Sequence, residues 1–157
     1  MHVDILEPDL DLNKAMDALG RVLSPTLHRA WETKRASYED KPFDFNVAVF
    51  TQLWLQKDLK VFIAYDETKN NEVTGFMTGL VYRPIQYNAR VFQVQDWYTG
   101  DNMEVEKLLF EYLANAVKFL GADEILISNT DGDSFPEIPG NWKLATTTRT
   151  KRFIRKQ

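Results

Sequence analysis

The chain has 157 residues with 44% hydrophobic and 27% charged, enough for one domain with a sizeable core. It has no cysteine, which excludes disulfides and thiolate chemistry, and its net charge of −4 disfavours nucleic acid as a partner. The N-terminal run MHVDILEPDLDL lacks the pattern of a signal peptide, and no apolar run approaches the roughly 20 residues that span a bilayer. The expectation is a cytoplasmic protein, a single domain over 1–157, with a cationic edge at Arg149–Lys156.

His2–Leu6 reads as a short first strand ended by Glu7–Pro8. Asp11 or Asn13 can cap a helix to about Leu23, whose apolar residues recur at helical spacing. Ser24–Pro25 breaks it, and a more polar helix is expected over Leu27–Tyr38. Asp44 can cap a third helix over Phe45–Gln56, with Val47, Phe50, Thr51, Trp54 and Leu55 on its buried face. The period then changes. Val61–Tyr65 is a nearly continuous apolar strand, and Asn70–Asn71 suits a turn with positive φ. Glu72–Tyr82 returns as a strand carrying Gly75 and Gly79, and Pro84 ends it. Arg90–Trp97 is the next strand. Met103–Leu120 is strongly amphipathic, with Leu109, Leu113 and Ala116 inward and Glu106 and Lys118 outward; Gly121 stands where a C-terminal cap belongs. Glu124–Ser128 is a strand, Thr130–Gly140 a loop, and Lys143–Ile154 holds a Thr-rich last strand.

Strand 90–97, helix 103–120 and strand 124–128 form a βαβ unit whose strands run parallel. An antiparallel meander feeding that unit makes an α/β mixed sheet covered by helices. This order resembles the GNAT superfamily of N-acetyltransferases. VFIAYDETKNNEVTGFMTGLVY is similar to that family's central hairpin around Gly75–Phe76, FLGADEILIS to its helix end and fifth strand, and FPEIPGNW loosely to its C-terminal segment. The resemblance implies a GNAT-like acyl-CoA N-acyltransferase fold whose fourth and fifth strands splay apart at their C-terminal ends. Acetyl-CoA would lie in that gap, with an amine acceptor, small molecule or protein, beside it.

In the family, a glycine-rich loop after the fourth strand holds the pyrophosphate, because backbone N–H groups and a helix N-terminus favour an anion. Here that stretch is Thr99-Gly100-Asp101-Asn102-Met103-Glu104-Val105, with one glycine and no cation before Lys107. The resemblance places cofactor contacts at Trp97, Gly100, Asp101, Asn102, Met103 and Asn129. Asp101, Glu104 and Glu106 also suit the first turn of a helix, as caps that oppose its dipole. The same carboxylates repel a phosphate by about 3 kcal/mol per charge pair at about 5 Å and an effective dielectric near 20.

The resemblance implies a carboxylate base and a tyrosine acid: Asp96 is the candidate base, and Tyr98 the candidate acid in place of the family's C-terminal tyrosine, since no tyrosine follows Tyr112. Asp96 equally suits an ion pair with a neighbouring arginine or a strand end. His2 and His28 have no metal-ligand or triad spacing, so no metal is expected, and Asp131–Ser134 lacks the ligand a calcium loop needs downstream. Two functions follow: an N-acetyltransferase moving an acyl group from acyl-CoA to an amine, or a GNAT-like domain without catalysis that serves as a binding or structural module with a protein partner or in a homo-oligomer.

Overall fold

The computed structural model describes residues 1–8, 24–32, 42–127, 138–140 and 142. The expected helix ending near Leu23, Asn129, the Asp131–Ser134 turn, the last strand and the basic tail lie outside them. Strand β1 is His2–Ile5, helix α1 Ser24–Ala30, helix α2 Val47–Leu55, and strand β2 Leu59–Asp66. Strands β3 (Glu72–Tyr82) and β4 (Val91–Tyr98), helix α3 (Met103–Phe119) and strand β5 (Glu124–Ile127) follow.

The five strands form one sheet in chain order β1-β2-β3-β4-β5. The first three pairings are antiparallel. β4 and β5 pair in parallel, Val91 beside Glu124 through Val94 beside Ile127, with α3 as the crossover. Helices cover both faces, which is why β2 reads as a continuous apolar run rather than an alternation. Towards α3 point Phe62, Met77, Phe92 and Val94, packed on Val105, Leu109, Leu113 and Val117. Towards α1 and α2 point Val61, Ile63 and Phe76, packed on Trp54 and Leu27. The Trp54 indole N–H donates to the Leu6 carbonyl at 2.9 Å, tying α2 to the end of β1.

Close packing of α3 depends on glycine in β3. A Cβ at Gly75 would lie 2.7 Å from both the Tyr98 carbonyl oxygen and Val105 Cγ1. No real side chain tolerates that approach, so α3 and the end of β4 meet β3 only where β3 has none.

Two helix starts and the burial of one residue differ from expectation. α1 begins at Ser24, so Ser24–Pro25, expected as a break, opens a helix; proline fits a first turn because its missing N–H has no partner there. The cap of α2 is Asn46 rather than Asp44: its side chain accepts from the Val49 N–H at 3.2 Å. On α3, Leu109, Leu113 and Ala116 are buried and Lys118 is exposed, but Glu106 is half-buried. The α3 C-terminus closes as expected on Gly121 at φ +69°, with Gly121 N–H donating to the Lys118 carbonyl and Ala122 N–H to that of Val117.

Candidate functional site

The junction between β4 and α3 is a tight turn. Asn102 N–H donates to the Thr99 carbonyl at 3.0 Å, and the two residues between, Gly100 and Asp101, have φ of +58° and +60°. Positive φ at both central positions defines a type I′ turn, which glycine and aspartate tolerate better than most residues. Asn102 then caps α3: its side-chain oxygen accepts from the N–H groups of Glu104 at 3.0 Å and Val105 at 3.4 Å. The cap is thus the Asn102 amide, not the carboxylates to which the sequence reading assigned it. Asp101 stands one residue before the cap, and Glu104 projects into solvent. Among the described residues, no acceptor takes the N–H of Gly100, Asp101 or Met103.

β4 is not regular before that turn. Thr78 pairs with Asp96 and Gly79 with Val94, so Gln95 is an extra residue in β4. Such a bulge bends its strand and re-aims the side chains beyond it. Val94 beside Ile127 is the last described pair of the parallel ladder, and β4 runs on to Tyr98.

The bulge also sorts the three residues that follow. Asp96, opposite Thr78, lines a groove on the α1/α2 side of the sheet. Tyr98, two residues on, points to the same side and packs at a tilt on Phe76, ring centroids 6.4 Å apart. Trp97 points the other way and meets Phe110 of α3 edge-on at 5.9 Å. The structure thus brings Asp96 and Tyr98 together on one face, with Gly100 close to the Tyr98 hydroxyl: a Cβ on Gly100 would sit 3.8 Å from it. Trp97 lies on the opposite face of the strand. Asn102 and Met103 start α3 and are exposed. Asn129 lies outside the described residues.

The groove has a volume of about 720 Å³ and is open to solvent. Leu27 and Trp31 line it from α1 and the turn after it, Phe43 and Phe45 from the segment before α2, Phe50 and Leu53 from α2. Leu59, Thr78, Leu80, Gln95 and Asp96 line it from the sheet. Its rings form two sets of contacts, the second reaching the buried Trp54 behind the groove. Trp31 tilts on Phe43 at 5.9 Å, Phe45 meets Phe50 edge-on at 5.3 Å, and Phe50 lies 6.3 Å from Trp54. Sequence reading missed this groove. Phe50 has the spacing of an ordinary core position, and nothing along the chain marks Trp31, Phe43 and Asp44 as neighbours of Asp96.

Among the described residues, no group of three or more His, Asp or Glu side chains is placed to hold a metal ion. No helix there is long and apolar enough to cross a membrane.

An antiparallel meander that leads into one parallel βαβ unit, with a bulge in β4, defines a mixed α/β domain. No family profile matches the chain, and no curated protein does. Solved structures do. The chain is similar to a probable acetyltransferase at TM-score 0.61 and 12% identity, over 94% of this chain and 100% of that one. It is similar to an aminoglycoside acetyltransferase from an uncultured soil metagenomic sample at TM-score 0.57 and 13% identity, over 94% and 100%. It also matches a ribosomal-protein-alanine N-acetyltransferase from Brucella melitensis biovar Abortus 2308 at TM-score 0.53 and 16% identity, over 80% and 78%. The chain therefore shares the fold of these acetyltransferases, at 12–16% sequence identity.

Proposed function

We propose that this chain is an N-acyltransferase that moves an acyl group from acyl-CoA to an amine. The observation that carries the reading is the bulge at Gln95, which puts Asp96 on the wall of an open groove near the C-terminal end of β4. A donor in the gap and an acceptor in the groove would meet there.

The backbone of the junction suits a pyrophosphate. Gly100, Asp101 and Met103 offer N–H groups beside a helix N-terminus, and a Cβ at Gly100 would meet nothing closer than the Tyr98 hydroxyl at 3.8 Å. The side chains of Asp101 and Glu104 work against it, so binding is weak rather than absent. Gly100, Asp101 and Met103 would hold the phosphates through their backbone N–H groups, with Trp97 flanking the rest of the ligand. Acyl-CoA supplies a thioester-activated acyl group. Asp96 takes the proton of the acceptor ammonium, directly or through water, and the Tyr98 hydroxyl returns a proton to the departing sulfur.

The test is thiol release from acetyl-CoA in the presence of an amine panel. Asp96→Asn is expected to lower kcat by about 100-fold or more, the usual scale for a positioned acid or base. A second reading, a GNAT-like domain without catalysis that binds a partner, is favoured by one feature: the first turn of α3 carries Glu104 and Glu106 and no cation. Thiol release no faster than background, with no heat on calorimetric titration with acetyl-CoA, selects that reading.

A further inference from the structure

We infer that Phe76 and Gly100 are positioning residues for the Tyr98 hydroxyl: Phe76 fixes the ring, and Gly100 leaves the space at the junction into which the hydroxyl reaches. The hydroxyl's work as a proton donor rests on the function proposed above; its placement does not.

The β3–β4 register sets Phe76 directly opposite Tyr98. Side chains so paired stand close enough for their rings to meet, and here the ring centroids lie 6.4 Å apart at 32°. Phe76 is fully buried among Trp54, Leu59, Val61 and Ile63, so close packing holds its ring in one place. Tyr98 is half-buried and leans on that fixed surface. Its backbone is held as well, because its carbonyl oxygen approaches β3 at Gly75, where a Cβ would lie 2.7 Å from it.

The turn then brings Gly100 beside the far end of the ring. A Cβ there would lie 3.8 Å from the Tyr98 hydroxyl and 4.0 Å from the ring carbon that bears it. One methyl would therefore touch the phenol, and a longer side chain turned towards β4 would take the hydroxyl's space. The conformation of the turn does not by itself call for glycine. Asp101 holds a φ of +60°, beside +58° at Gly100, and carries a side chain. Asparagine and aspartate are common at the first central position of such turns. The phenol that stands over position 100 sets it apart.

In the transfer, the amine nitrogen forms a C–N bond to the acyl carbon and the C–S bond breaks, its electron pair passing to sulfur. Tyr98 gives its hydroxyl proton to that sulfur, which leaves as a free thiol. The proton shed by the nitrogen returns through water to the phenolate. A donor serves this step only within hydrogen-bond reach of the sulfur, so displacing it by about 1 Å costs rate more than substrate binding.

Two measurements test this: thiol release from acetyl-CoA with the best amine of the panel, and fluorine NMR of the chain labelled with 3-fluorotyrosine. Tyr98→Phe assigns the Tyr98 line. Gly100→Asn keeps a residue suited to positive φ and should move that line alone. Phe76→Leu should move it too. Each should lower kcat about 10- to 100-fold, with the amine KM within about 2-fold of wild type. On a Tyr98→Phe background neither should lower kcat further, because residues that act through one group are not additive. Where Phe76→Leu fails to fold, Gly100→Asn, at an exposed position, still decides the outcome. A Tyr98 line that Gly100→Asn leaves unmoved overturns the inference, as do losses of kcat that multiply with that of Tyr98→Phe. If the line moves but the wild type releases no thiol above background, the placement stands and acyl transfer fails. If an amine is acylated and Tyr98→Phe leaves the rate unchanged, acyl transfer stands and the positioning role fails.

Discussion

The acidic junction gives the sharpest test of how this chain handles coenzyme A. The perturbation is the pair Asp101→Asn and Glu104→Gln. Both side chains are exposed, so water screens them. At about 5 Å, one like-charge pair costs about 0.8 kcal/mol in water-like dielectric and about 3 kcal/mol at an effective dielectric near 20. Exposure puts each side chain near the lower figure, so the pair should gain about 1–2 kcal/mol, a factor of about 5 to 30 in affinity. The gain should shrink between low salt and about 0.15 M, where the screening length is about 8 Å. Stability should change little. Asparagine suits the φ of +60° at position 101 as well as aspartate does. The Glu104 carboxylate is not the cap, so its loss removes only a dipole interaction of about 0.3–1 kcal/mol, or about 1–4 °C in Tm. Acetyl-CoA titration by calorimetry at two salt concentrations, with a thermal melt of each variant, measures all three quantities. Tight wild-type binding that the double substitution weakens would refute the reasoning. It would mean that these side chains contact the ligand favourably, through its pantetheine amides for example, and that the pyrophosphate lies elsewhere.

Other perturbations test the fold that carries the site. Leu109 is fully buried and faces Gly75, so Leu109→Ala should cost about 2–5 kcal/mol in a denaturant titration; a loss under about 0.5 kcal/mol would show that α3 packs on another face. Removing the α3 cap with Asn102→Ala should cost about 1 kcal/mol and lower Tm by about 2–4 °C, and an unchanged Tm would mean that the turn, not the cap, holds the helix start. Asp66 should titrate below the ordinary aspartate value of 3.8, chiefly because the Thr68 hydroxyl donates to its carboxylate at 2.6 Å. Because its folded-state pKa is depressed, its contribution to stability is present above the unfolded value and is lost as pH falls through the folded one. Thr68→Ala should raise the Asp66 pKa in an NMR titration, and an unmoved value would refute the assignment.

Periodicity determined much of this protein before any coordinates. The continuous apolar run of β2 and the helical spacing of α3 each report on one element's own burial, which local sequence must encode. Their order then restricts the sheet to a meander that ends in a parallel pair, and the observed sheet obeys it. The Gly121 cap and the Asn70–Asn71 turn were legible for a similar reason: φ of +69° and +57° demands particular residue types at single positions. Tertiary structure alone decided the rest. Gln95 is unremarkable along the chain, and only the register against Thr78 and Gly79 makes it a bulge. The same register turns Asp96 towards the groove and Trp97 away from it. The junction's cap passed from carboxylates to Asn102 because a type I′ turn fixes which residue's side chain can reach back to the Glu104 and Val105 N–H groups. The groove draws its walls from segments that share no local pattern, and its apolar lining has the same composition as core. A groove is a relation between elements, and one element's periodicity carries no record of which neighbour stops short of covering it.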